Sequence, residues 1–223
     1  MLTVNGLNSS DVWDFENGYY WFSDPTRMGK LLAHYELYCK IADLPGDIFE
    51  LGVFKGASLI RLAQFRSFLE TPTSRKIVGF DAFGKFPTEG LSNPNDHAFI
   101  GRFETGAGDG LARDQLAEIL KFKGLDQNVE LVEGDVLATL PAYLEKRPQT
   151  RLALLHLDMD VKEPTEFALE RLWERVVPGG LVVFDDYNAV EGATQAVDSF
   201  VEETGQRLQK LSFNHAPAFI IKE

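Results

Sequence analysis

Two pairs of aspartates occupy matching places in this chain. Asp158 and Asp160 close the run "LLHLDMD", and Asp185 and Asp186 close "LVVFDD". Each pair ends an apolar run that reads as a buried strand, where a carboxylate is costly without a partner. Side chains alternate along a strand, so Asp158 and Asp160 are expected to point to the same side. If the two strands are neighbours, the carboxylates converge at one end of a sheet. Like charges that close raise one another's pKa unless a cation neutralises them. Hard oxygen donors suit Mg²⁺, which keeps waters and leaves room for a substrate oxygen. One such aspartate alone serves equally well as a helix cap or a solvated side chain. Four in two matching strand ends favour the cation.

Earlier in the chain, "FELGVFKGAS" supplies Glu50, Gly52 and Gly56 where a strand gives way to a helix. Glycines there allow a tight turn and a close approach of ligand to the helix that follows. The spacing is G-x-x-x-G, not the G-x-G-x-x-G of dinucleotide enzymes. The next strand, "KIVGFDAF", ends in Asp81, where an acidic residue can hold a ribose diol. "NVELVEGD" then brings Asp135 to the same crevice.

These residues need elements to position them. From Thr26 onward, apolar residues recur at helical spacing through Ile41, and Leu44-Pro45-Gly46 stops that helix. Strand and helix then alternate along most of the chain. Residues 207–213 and 218–223 make a closing pair of strands. Such alternation means a parallel sheet covered on both faces, an α/β fold whose ligands sit beyond the carboxyl ends of the strands. Residues 1–24 read as an irregular arm whose aromatics need something to cover. Residues 1–45 thus form an arm and helix packing on the cleft, ahead of a main domain over 46–223. Residues 84–112 lack periodicity and are rich in turn formers, which makes them a candidate lid loop.

Composition narrows the partners. A formal net charge of −12 argues against nucleic acid, whose phosphates need a basic surface. No apolar run approaches the ~20 residues of a membrane helix. With no secretion leader apparent and Cys39 as its single cysteine, the chain is expected to be cytoplasmic. The composition leaves a homo-oligomer open. His156 lies on the strand face of Asp158 but deeper, as a core histidine does, and His34 has no constellation around it in the sequence.

The aspartate motifs have parallels in two other families. "LHLDMD" and "VVFDD" resemble the nucleophile and metal motifs of haloacid-dehalogenase phosphatases, but there the first motif lies near the start of the chain. A DxD motif holds metal in glycosyltransferases, but that leaves the Gly52/Gly56 turn and Asp81 unexplained. The ordered set "LPGDIFELGVFKGAS", "GFDAFGKFP", "LDMDVKEPT…PGGLVVFDDYN" and "EGATQAVDSF" resembles the macrocin O-methyltransferase family from Thr26 to Phe200. That resemblance implies a class I methyltransferase fold, Rossmann-like, with seven strands of which the last is antiparallel. It also implies S-adenosylmethionine and Mg²⁺ as cofactors and a small-molecule, sugar-containing acceptor.

Carried across by motif, Glu50, Gly52, Gly56 and Ser58 fall on the methionine and ribose side of the cofactor site. Asp81 falls on the ribose hydroxyls and Asp135 beside the adenine. Asp158, Asp185 and Asp186 fall on the metal ligands, and Asp160 on the general base. Ala82 departs from the serine common after the ribose acid. Val161-Lys162 replaces a pair that usually includes an aromatic, which bears on the acceptor more than on the reaction. The rival readings are a metal-dependent phosphatase or hydrolase using the same aspartates, and a non-catalytic binding protein on the same fold.

Overall fold

The computed structural model describes residues 1–223. Its centre is a seven-stranded sheet built from β3 (Asp47–Leu51), β4 (Ile77–Asp81), β5 (Val129–Glu133), β6 (Leu152–Leu157), β7 (Val176–Phe184), β8 (Gln209–Lys210) and β9 (Ala218–Ile221). The strand order is β5-β4-β3-β6-β7-β9-β8. The pairs from β5 through β7 are parallel, and β9 runs antiparallel to both of its neighbours. From β3 the chain moves outward to β4 and β5, then returns to β6 on the other side of β3. That reversal opens a crevice between the carboxyl ends of β3 and β6.

All six residues of β6 are buried, as its apolar run, interrupted only by His156, requires of a central strand covered on both faces. Helices α2 (Pro25–Ile41), α3 (Ala57–Leu69) and α5 (Arg113–Phe122) pack on one face through Leu37, Ile41, Leu59, Leu62 and Leu116. On the other face α6 (Val136–Lys146), α7 (Lys162–Leu172) and α8 (Glu191–Thr204) contribute Leu140, Tyr143, Leu169, Leu172 and Val197. No helix is long and apolar enough to cross a membrane.

Three segments differ from the sequence expectation. Residues 1–24 are not irregular: strands β1 (Thr3–Val4) and β2 (Leu7–Asn8) pair, and α1 (Val12–Phe22) follows. Most of the aromatics stay uncovered: no residue of α1 is fully buried, Tyr19 is half-buried, and Trp13, Tyr20, Trp21 and Phe22 are exposed. A helix without a buried face shows no apolar period to read. Residues 84–112 are not all loop either, since α4 (Pro94–Ala107) occupies half of them. Asn93 caps α4 through Asn95 N, with Pro94 in the first turn. The closing strand expected over 207–213 shrinks to Gln209–Lys210, an edge strand paired on one side only.

The 84–112 segment is tied to the sheet-covering helices at its centre. Asp96, fully buried, accepts from the backbone N of Lys162 at 2.9 Å. Asn95 donates to Glu191 at 2.7 Å, and the Ser92 hydroxyl to Glu163 at 2.6 Å. Phe54 and Phe103 pack with ring centroids 5.0 Å apart, joining α4 to the turn after β3.

Candidate active site

The strand ends are held in line by backbone hydrogen bonds. Gly52 N donates to Phe80 O at 2.9 Å, Asp158 N to Leu51 O at 2.9 Å and Asp185 N to Leu157 O at 3.0 Å. Gly52 has φ +90°, and a Cβ there would lie 1.8 Å from the carbonyl oxygen of Asp158. Only glycine lets the β3 and β6 ends approach so closely. They open on a cleft of about 410 Å³, within the usual range for small-molecule sites.

On the β3/β4 side, Asp81 points its carboxylate back at the turn after β3. Oδ2 accepts from Val53 N at 2.7 Å and Phe54 N at 2.8 Å, and Oδ1 from Phe83 N at 2.6 Å. Gly52, Ser58, Asp81 and Asp135 all line the cleft. Asp135 also caps α6, accepting from Leu137 N at 2.9 Å. Glu50 and Gly56 lie beneath the surface. Gly56 caps α3 in the left-handed conformation, with Leu116 behind it. Glu50 is fully buried; it accepts from the Ser58 hydroxyl, and burial pushes its carboxyl up to about 7.

On the β6/β7 side, the acidic residues come together by a route that strand alternation does not describe. The strand β6 ends at Leu157, so Asp158 to Asp160 form a turn beyond it. Asp160 has φ +64°, in the left-handed region that a non-glycine residue seldom adopts. Its backbone N donates to Asp186 Oδ2 at 3.0 Å. Carboxylate oxygens of Asp158, Asp160 and Asp186 lie within 4.8 Å of one another. Burial, reinforced by the neighbouring acids, raises the carboxyls of Asp158 and Asp186 well above the usual carboxylate range. Burial likewise raises Asp160, to about 7. Three hard oxygen donors sharing so little space and so much excess negative charge fit a divalent cation.

Asp185 faces two ways. One oxygen forms an ion pair with the Lys30 ammonium, which also lines the cleft. The other lies 3.6 Å from His34 Nε2 and 3.6 Å from His156 Nε2, in the core behind the cleft. Burial opposes ionisation of Asp185, yet these histidines and Lys30 hold its carboxyl well below the usual range. Burial also pushes His34 down to about 4, leaving it neutral at neutral pH. His34 therefore does belong to a constellation. Lys30 and His34, one turn apart on α2, meet Asp185 at the end of β7, a contact across 151 to 155 residues that no local motif encodes.

A mostly parallel seven-stranded sheet with one antiparallel strand, opening at the β3/β6 switch, is the class I methyltransferase fold. The chain belongs to the macrocin O-methyltransferase family, whose model, described as macrocin-O-methyltransferase (TylF), matches residues 24–211. It is 32% identical over 163 residues to the 8-demethyl-8-(2,3-dimethoxy-alpha-L-rhamnosyl)-tetracenomycin-C 4′-O-methyltransferase of Streptomyces olivaceus. That match covers 70% of this chain, which spans 58% of the relative's length. Among solved structures it resembles apo CalS11, a TDP-rhamnose 3′-O-methyltransferase in calicheamicin biosynthesis. The TM-score there is 0.69, with 29% identity, covering 96% of this chain and 86% of that one. The O-methyltransferase NovP shares the fold, with a TM-score of 0.74 at 21% identity over 86% of this chain and 79% of that one.

Proposed function

We propose that this chain transfers the methyl group of S-adenosylmethionine to a hydroxyl of a sugar or glycosylated small molecule, with Mg²⁺ as the metal. The observation that carries this reading is the meeting of two sets of residues in one cleft. The Gly52 turn with Asp81 and Asp135 lines one side, and Asp158, Asp160, Asp185 and Asp186 line the other. The sugar acceptors named for the relatives from Streptomyces olivaceus and from calicheamicin biosynthesis support the acceptor class.

Asp81, with lone pairs left over from its three backbone donors, accepts from the ribose hydroxyls of the methyl donor. Gly52 and Ser58 border its methionine end, with Glu50 and Gly56 supporting them from beneath, and Asp135 borders the adenine. Asp158, Asp185 and Asp186 hold the metal, Asp185 through the oxygen that Lys30 otherwise neutralises. A divalent ion held there supplies the Lewis acidity that lowers the pKa of a nearby hydroxyl. Asp160 takes the proton from that hydroxyl while the oxygen forms its bond to the methyl carbon and the carbon–sulfur bond breaks. Asp160 sits beside the proposed ligands Asp158 and Asp186 and lines the cleft, the position that a general base requires. The wall over 84–112 closes on the acceptor and keeps water from the reacting oxygen.

Titration calorimetry with S-adenosylhomocysteine tests the cofactor half of this reading. The protein binds it, and Asp81→Asn weakens binding about tenfold or more, as loss of a charged hydrogen-bond acceptor does. Unchanged affinity in a variant that melts like the parent removes Asp81 from the cofactor site.

A further inference from the structure

At the α2/α3 side of the cleft stand two arginines with no assigned task. Arg61 lies on α3, one turn past Ser58, and Arg27 lies on the first turns of α2; both line the cleft. Arg61 is half-buried, and removal from water holds its guanidinium below the ordinary arginine value. No hydrogen bond reaches that guanidinium. The charges that it feels are those of Tyr19, Asp185, Arg27 and Glu50, and one of these is a second arginine. Neither acid makes a hydrogen bond or ion pair with it: Asp185 pairs with Lys30 and is flanked by His34 and His156, and Glu50 accepts from Ser58. Asp24, the acid nearest to Arg27 in the chain, is occupied by Thr26.

Tyr19 lies near Arg61 without lining the cleft. Its hydroxyl is fully buried and has no hydrogen-bond partner, although a buried phenol ordinarily finds one. Two guanidinium forks, each able to present parallel N–H groups, match the oxygens of a carboxylate or phosphate. Two like charges lining one cleft repel, and an anion between them removes that cost. The geometry points to an oxyanion subsite of the cleft formed by Arg27 and Arg61. Two groups of the reaction carry such an oxyanion: the α-carboxylate of the methyl donor, or a phosphate on the acceptor. The inference rests on the methyltransferase reading for the identity of these ligands, and on the side chains alone for the subsite.

Calorimetry on the full chain in metal-free buffer, with Arg61→Gln and Arg27→Gln, decides it. The probes are S-adenosylhomocysteine, 5′-methylthioadenosine (which lacks the amino-acid carboxylate) and inorganic pyrophosphate. If the subsite takes the donor carboxylate, the variants weaken S-adenosylhomocysteine by about tenfold or more and leave 5′-methylthioadenosine unchanged. If it takes a phosphate, they weaken pyrophosphate by a like factor and spare both nucleosides. Equal affinities of parent and variants for all three probes overturn the subsite. So does an equal loss for all three, which marks a structural role. Arg27 is exposed, so its variant keeps the test decisive if Arg61→Gln fails to fold. A parent that binds pyrophosphate through these arginines but neither nucleoside keeps the subsite and sinks the methyltransferase reading.

Discussion

Asp160→Asn lowers kcat by roughly 10²–10⁴-fold while leaving metal affinity close to that of the parent. The substitution keeps the size of the side chain and the backbone donor to Asp186, and replaces the carboxylate by a neutral amide that cannot accept the proton. Asparagine also tolerates the positive φ that this position demands. A loss of rate with an intact fold therefore reports on chemistry and not on the turn. Single-turnover rates with manganese or magnesium titrations separate the two functions. If Asp160→Asn and Asp158→Asn lose metal affinity equally, Asp160 is a ligand and the base lies elsewhere.

Removal of divalent ions has the other large effect. Turnover falls by at least about 10²-fold in chelator and returns with Mg²⁺, in keeping with the several kcal/mol that Lewis acidity contributes. The physical cause lies in the carboxylates of Asp158 and Asp186, crowded with that of Asp160 within 4.8 Å and raised by burial, and in Asp185 beside them on the cleft wall. Asp158→Asn, Asp185→Asn and Asp186→Asn should each weaken the ion. Full activity in chelator, with the metal shown by elemental analysis to be absent, would leave these acids without the role assigned to them.

The sequence revealed the parts of this site that depend on strand ends and concealed those that depend on packing. Apolar runs broken by Gly52, Asp81, Asp158 and Asp185 announce both a parallel sheet and the edge where its ligands bind, because one short motif carries strand, turn and functional group together. Asp158 and Asp160 are neighbours, but not because of strand alternation. Asp158 and Asp160 meet through a left-handed turn, not through a shared strand face. Lys30, His34, Arg27 and Arg61 gave no signal, since each belongs to an ordinary helical pattern and gains meaning only from how α2 and α3 pack. The α4 helix was half legible: Asn93-Pro94 is a helix start that stood in view. With only Asp96 and Ile100 buried, however, the stretch lacks the apolar period that would have confirmed it.

The most direct measurement is mass spectrometry of acceptors incubated with the protein, Mg²⁺ and S-adenosylmethionine bearing a deuterated methyl group. Glycosides, nucleotide-linked deoxysugars and surface-polysaccharide units would serve as acceptors. The account predicts a single labelled methyl group on a sugar hydroxyl, formed with the parent and suppressed by Asp160→Asn and by chelator. Label on no sugar hydroxyl despite bound S-adenosylmethionine, or metal-dependent hydrolysis of an acceptor in place of methylation, would contradict it.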